Sequence, residues 1–448
     1  RMRRIAFCLA VVLLDAYALI PKDPPYGKLS VQGTKLVGAN GQPVQLIGMS
    51  LFWSQWMGQY FNRATVDALA CQWGANAVRA AMGVEQGGYL SNKQGELAKV
   101  RSVVEAAIER GIYVIIDWHD HEAHKHKQDA IEFFKLVAND YGKYPHVLYE
   151  TFNEPLQVDW NGVLKPYHTD LLKAIRSIDP DNVALLGTPS WSGASGITDA
   201  SNSPLSGQTN VVYVQHFYSG SHRDYERSAY SSAAAKIPVF ISEYGISEAD
   251  GGSNGQIYTD ESNKWFALLD QNKASYLAWS IADKNEASAA LKPGTQPNQV
   301  GNDAQLSNAG IFLKNMIKSR MLFSCDGSVP SPGPTSAPAP STPPSSSANG
   351  LSVQVKTTNS WPGGAQLDIV VTNNGASQIC SAQLKLQKDG STSIVSLWGL
   401  DNTASDLYKT PDHMKLASGQ AHTAGAVISG SKIPSFSVVS TILCGNGS

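Results

Sequence analysis

Between Ser328 and Ala348 the sequence collapses to Ser, Pro, Ala, Thr and Gly, with nothing apolar larger than Val329. Such a stretch buries too little surface to offset its ordering entropy, so no single fold runs through it. Proline-rich chain extends by about 3.1 Å per residue, so this one holds two folded bodies up to roughly 60 Å apart, and its Ser and Thr suit an O-glycosylated stalk. The chain of 448 residues therefore reads as residues 19–327, a linker at 328–348 and a second unit at 349–448.

Residues 1–18 read differently. Arg1, Arg3 and Arg4 precede an apolar run from Ile5 to Leu14 and then Ala16-Tyr17-Ala18, the pattern of a cleaved secretory signal with a mature chain from Leu19. The run is too short to span a bilayer, and the expected location is extracellular with no membrane anchor. Of five cysteines Cys8 leaves with the signal, and Cys71, Cys325, Cys380 and Cys444 remain for an oxidising compartment. Four cysteines allow three pairings, and independent folding of each unit selects Cys71 with Cys325 and Cys380 with Cys444.

Before the linker, β-branched runs alternate with helical stretches such as 98–110. Strand-like runs occur at 44–48, 77–79, 113–117, 147–152, 183–186, 211–215, 239–241 and 276–279. Eight such runs alternating with helices predict an α/β fold, a (β/α)₈ TIM barrel. A doubly wound sheet fits less well, because no glycine-rich phosphate loop follows an early strand. After the linker, alternation without helices at 351–355, 366–372, 382–387 and 435–443, with turns at Asn374-Gly375 and Asp389-Gly390, predicts a small all-β sandwich.

In a barrel the reactive groups sit after the C-terminal strand ends. There stand Asp117-Trp118-His119, Asn153-Glu154-Pro155, His216-Phe217-Tyr218 and Ser242-Glu243-Tyr244-Gly245. Two glutamates on one rim suit glycoside cleavage, in which one carboxylic acid protonates the departing oxygen and one carboxylate attacks the anomeric carbon or activates water. Net charge of −2 gives no footprint for nucleic acid and suggests an uncharged partner. The stretch His119-Asp120-His121-Glu122-Ala123-His124-Lys125-His126 lacks the i, i+4 pair of a helical zinc motif, so it reads as a loop in which His119 serves a sugar site, with no metal. Carboxylate chemistry requires no cofactor.

With Ala278-Trp279-Ser280-Ile281-Ala282-Asp283-Lys284-Asn285-Glu286, these segments resemble family 5 glycoside hydrolases, and the likeness extends over about residues 29–320. It is nearest to cellulases of bacteria and of plant-parasitic nematodes. The resemblance implies a retaining endo-β-1,4-glucanase with Glu154 as acid/base and Glu243 as nucleophile, supported by Arg79, His119, Asn153, His216 and Tyr218. Glu154 must start protonated, so its site is expected to raise its pKa, whereas Glu243 stays ionised beside Arg79 and Tyr218. Trp56, Trp191 and Trp279 match platforms for sugar faces, and Lys284 and Glu286 match polar subsite contacts. Phe52 stands where bacterial relatives commonly carry His. Xylan, mannan or mixed-linkage glucan are alternative substrates, and a glycan-binding effector without turnover is a further alternative that the presence of both glutamates disfavours.

The second unit resembles family 2 carbohydrate-binding modules through Ser360-Trp361-Pro362-Gly363-Gly364, Asn373-Asn374-Gly375, Ser396-Leu397-Trp398 and Cys444-Gly445. This resemblance implies a cellulose-binding face on Trp361 and Trp398, with no Trp near Pro411-Asp412-His413 to supply a usual third ring. The expected partner is cellulose or a related β-glucan, met by a monomer.

Overall fold

The computed structural model describes residues 19–320, 323–325, 346–348, 350–361, 364–411, 415–430 and 432–444. The signal-like segment and most of the proline-rich segment lie outside them. The chain divides into two compact units, 1–332 and 333–448.

In the first unit a short hairpin, β1 (Ser30–Gln32) and β2 (Lys35–Val37), precedes the barrel strands β3 (Ile47–Leu51), β4 (Ala77–Gly83), β5 (Tyr113–His119), β6 (Val147–Glu150), β7 (Ala184–Leu186), β8 (Val211–Val214), β9 (Phe217–Tyr218), β10 (Val239–Gly245) and β11 (Tyr276–Ile281). All pair in parallel, and β11 pairs with both β3 and β10, so the sheet closes. β8 and β9 are two pieces of the sixth barrel strand, each pairing with β10. This is the eight-stranded α/β barrel that the sequence predicts.

Side chains alternate across a strand, so every second residue points to the barrel axis. The lower part of that axis is apolar: Leu46, Ala77, Ile115, Leu148, Leu185, Val212, Phe240 and Leu277 pack together, closed from below by Leu29, Leu36 and Val44 around the hairpin. The opposite parity, for example Val114, Ile116 and Trp118 on β5, packs against the surrounding helices. Two to four residues above the apolar layer the inward positions become Ser50, Arg79, Asp117, Glu150, His216, Ser242 and Trp279, all buried. The barrel thus changes from hydrocarbon to polar along its own axis, and the polar end is the C-terminal one.

Cys71 is bonded to Cys325, joining the segment before β4 to the chain beyond the last barrel helix, Asn308–Ser319.

The second unit is a pair of antiparallel sheets. One orders β12 (Ser346–Ala348), β13 (Leu351–Trp361), β14 (Gly364–Asn373), β19 (Ala421–Ser429) and β16 (Ser393–Trp398), and the other β17 (Asp401–Ala404), β18 (Leu407–Lys409), β15 (Ile379–Gln387) and β20 (Ser435–Leu443). Leu351, Val353, Ile369, Val371, Leu384, Leu386, Ala426 and Phe436 form the core between them. Cys380 is bonded to Cys444. Trp361 ends β13 and Trp398 ends β16, but their side chains, and residues 412–414, lie outside the described ones.

Candidate active site

The site grows out of the polar layer. Arg79, third residue of β4, is fully buried at its centre. Its Nε donates to Glu150 Oε2 at 2.6 Å, one terminal nitrogen to Glu243 Oε2 at 2.9 Å, and the other to Asn153 Oδ1 at 2.6 Å. That second nitrogen also lies 3.0 Å from Asp117 Oδ2. One guanidinium therefore holds three carboxylates from β5, β6 and β10, the planar multi-donor geometry that a lysine could not supply. The carboxylates raise its already high pKa further against the desolvation of burial.

Glu243 and Ser242 are neighbours on β10, yet both face the site. A bulge allows it: between Ile241 and Tyr244, β10 spends three steps where β11 spends two. Tyr218, at the end of β9, donates its hydroxyl to Glu243 Oε1 at 2.6 Å. With Arg79 on the other oxygen, both oxygens of Glu243 accept hydrogen bonds, which fixes its orientation.

Glu154 follows β6 and sits across from it. At least one oxygen of each glutamate lies within 4.8 Å of the other, and a ring nitrogen of His216 lies within that same distance of both. His216 Nδ1 is 2.8 Å from Glu154 Oε1, and its Nε2 is 2.9 Å from Ser242 Oγ. Ser242 has one hydroxyl proton and gives it to Glu150 Oε1 at 2.5 Å. His216 Nε2 must then be the donor to Ser242, so the short contact to Glu154 holds a proton on one side or the other. His121 Nε2 lies 3.3 Å from the second oxygen, Oε2.

This corrects the expectation for Glu154. Burial pushes its pKa up as foreseen, but hydrogen bonds from His121 and His216 outweigh burial and hold it well below the usual carboxylate range. Burial works against charge on both imidazoles, and bonding to Glu154 still raises each of them. Both shifts favour a proton on the imidazoles over one on the carboxylate.

His119 is arranged otherwise. Its Nδ1 meets Asp117 Oδ2 at 2.6 Å, and burial together with the Arg79 charge drops its pKa to about 3. It stays neutral. Burial pushes Asp117 up to about 7, although Arg79 opposes the shift. His119 stacks parallel to Trp279 at 5.2 Å and receives the edge of Trp53 at 4.1 Å.

Around the carboxylates stands an aromatic wall. Phe52 packs on Trp279 at 5.1 Å and on Trp56 at 6.3 Å, and Trp53 packs on Trp56 at 5.2 Å. Trp279 itself is 6% exposed, whereas Trp56 and Trp191 are 49% and 46% exposed. Trp191 belongs to a turn whose three residues Ser190, Trp191 and Ser192 all have left-handed φ, between 53° and 57°. Hydrogen bonds secure this strained turn to the site: Trp191 N donates to Pro155 O, His216 N to Ser192 O, and Ser192 Oγ to Asn153 O. Lys284 pairs with Glu286 at 2.6 Å and lies over the Phe52 ring at 4.7 Å.

Arg79, His119, Asn153, Glu154, His216, Tyr218, Glu243 and Trp279 thus converge on one rim. Sequence reasoning assigned no role in the site to Asp117, Glu150, Ser242, His121 and Trp53, although Asp117, Ser242 and His121 stood in segments it singled out. Asp117, Glu150 and Ser242 carry a signal that could have found them: counting by two from the inward Ile115, Leu148 and Phe240 lands on them. The His119–His126 stretch disperses its groups over separate partners, His121 on Glu154 and His126 on Asp120, at 2.7 Å for the latter.

Residues 37–285 match the family described as Cellulase (glycosyl hydrolase family 5). An endoglucanase of Clostridium saccharobutylicum is 40% identical over 296 residues, 65% of each chain. Endoglucanase Z of Dickeya dadantii is 39% identical over 318 residues, 70% of each. Among solved structures, one from Cytophaga hutchinsonii is 43% identical with a TM-score of 0.64, covering 66% of this chain and 96% of that one. The catalytic domain of a Thermobifida fusca endoglucanase is 31% identical with a TM-score of 0.62, covering 66% of this chain and 99% of that one, and a variant of that domain was solved with cellotetraose at 30% identity. The chain spans about two thirds of the length of its first curated relatives. On fold, site and sequence together, this chain belongs to glycosyl hydrolase family 5, the cellulase family.

Proposed function

We propose that the chain is a secreted endo-β-1,4-glucanase that hydrolyses cellulose with retention, Glu154 acting as acid/base and Glu243 as nucleophile. The observation that carries this reading is the approach of the two carboxylates within 4.8 Å. An inverting enzyme needs about 6.5–9.5 Å to seat a water between them, and a retaining one about 5–5.5 Å. Glu243 is oriented by hydrogen bonds from Arg79 and Tyr218, one to each oxygen, as a nucleophile must be. Glu154 receives the shared proton and delivers it to the leaving oxygen as Glu243 attacks the anomeric carbon. The ionised Glu154 then takes a proton from the water that releases the sugar. Asn153, fixed by Arg79, would meet the sugar 2-hydroxyl, and Trp56 and Trp279 of the aromatic wall, with Trp191 on its own turn, would stack sugar faces. The names of the relatives, and the cellotetraose held by one of them, support β-1,4-glucan as the polymer. The second unit is proposed as the cellulose anchor through Trp361 and Trp398, on the far side of the 328–348 linker.

The test is reducing-end release and viscosity of carboxymethylcellulose beside xylan and mannan, with product anomers followed by NMR. Wild type should cut viscosity fast and release the β-anomer first, and Glu243→Gln should abolish both. Initial α-anomer, or preference for xylan or mannan, would overturn the assignment.

A further inference from the structure

The histidine loop that follows β5 is only partly used by the chemistry above, and one member of it touches the acid. Glu154 stands between two imidazoles, His216 on Oε1 and His121 on Oε2. The two differ in one decisive respect: the His216 side chain is 2% exposed, whereas that of His121 is 39% exposed. His216 is also closed behind by Ser242 and Glu150, so its proton has no path to water except through Glu154. His121 has that path.

Resting on the acid/base role of Glu154, we propose that His121 is a positioning residue that orients Glu154 Oε2 and exchanges with solvent the proton that Glu154 delivers to the leaving group. In the forward step a proton on His121 Nε2 passes to Glu154 Oε2, and the carboxylic acid protonates the glycosidic oxygen as its bond to the anomeric carbon breaks. His121 is left neutral. When water is added to the glycosyl-enzyme, Glu154 takes the proton of that water and returns it to His121, so no net proton is gained or lost. Trp53, edge-on to His121 at 5.6 Å, sets the ring's plane.

The charged and titratable groups that face His121 fit this exchange. Glu154 bonds it, Glu243 and its own neighbour Asp120 add negative charge, and buried His119 stays neutral beside it. Bonding to Glu154 raises the imidazole toward the proton-holding form, although burial opposes this. One proton shared among Glu154, His216 and His121 has an apparent pKa that belongs to the cluster, and deleting one of its resting places lowers that value.

The experiment measures kcat/KM against pH for wild type, His121→Gln and His121→Ala, on two soluble aryl β-cellobiosides. One carries a poor phenolic leaving group that needs a proton, the other 2,4-dinitrophenolate, which needs none. With the poor leaving group the basic limb should move to lower pH by about 0.5 unit or more in both variants, an activity loss of roughly threefold on that limb. His121→Gln keeps a donor for Oε2 and should retain more of the optimum rate than His121→Ala. The dinitrophenyl substrate should show no such shift. An unmoved basic limb, or an equal change on both substrates, would overturn the proposal and leave His121 structural. Absence of cleavage of either cellobioside or of β-glucan by folded wild type would instead remove the underlying acid/base reading.

Discussion

At the residue scale the site is governed by one buried cation. Arg79 is the shared counter-charge of Asp117, Glu150 and Glu243, all of them buried, and removing it leaves carboxylates buried without a cation. Arg79→Ala should therefore lose about 3–5 kcal/mol of stability in urea unfolding as well as activity, whereas a residue that only bound sugar would leave the unfolding curve in place. The surroundings of Glu154 have their own signature in pH. Glu154 is depressed below its ordinary 4.5, so its contribution to stability is present above that value and is lost as pH falls. His121 and His216 are raised above 6.5, so theirs is full below 6.5 and is lost as pH rises through the raised values. Stability from this cluster peaks between those limits, and Glu154→Gln should flatten the alkaline decline of the urea midpoint by returning both imidazoles toward their ordinary range. The two glutamates were legible in the sequence because each ends an apolar run. The depression of Glu154 was not, because it comes from two histidines, 33 and 62 positions distant, that only the closed barrel brings to it.

Elements were legible where their periodicity was strong. Barrel strands are apolar on both faces, helix side and axis side, so short β-branched runs announce them, and the break between β8 and β9 falls at Gln215-His216, where inward polarity begins. In the second unit β19 escaped notice because two of its alternating inward positions, Ala424 and Ala426, are too small to mark a strand and leave Ile428 alone to do so, although all three are buried. β17 and β18 are three to four residues long, below the length at which alternation can be recognised. Helix ends give a test at this scale. The helix Lys93–Arg110 stops at Gly111 with φ of 81°, where a Cβ would come to 3.0 Å from Asp23 O, while Thr259–Asn272 stops at Lys273 with φ of 54°. Left-handed backbone costs a non-glycine residue about 1 kcal/mol. Lys273→Gly should thus raise stability by roughly 0.5–1 kcal/mol and Gly111→Ala should lower it by about 1 kcal/mol or more, both read by thermal unfolding with turnover unchanged in the first.

For the whole molecule, the two cross-links each belong to one unit, and they differ in what they constrain. Cys71–Cys325 closes 254 residues, nearly the whole barrel, while Cys380–Cys444 closes 64 within the sandwich. In the chain-entropy account a cross-link acts on the unfolded ensemble, more strongly for longer loops, and contributes about 2–5 kcal/mol. A closed parallel barrel depends on contacts between residues far apart in sequence, of which the pairing of β11 with β3 is the extreme case, so restricting the distance between its ends favours closure directly. Replacing Cys71 and Cys325 together by Ser should lower the urea midpoint for loss of carboxymethylcellulose hydrolysis by an amount equivalent to about 2–5 kcal/mol. Cys380→Ser with Cys444→Ser should leave that midpoint unchanged, because neither residue lies in the unit that carries Glu154 and Glu243. If both pairs of substitutions moved the hydrolytic midpoint equally, stabilisation of the barrel would have to pass through the second unit.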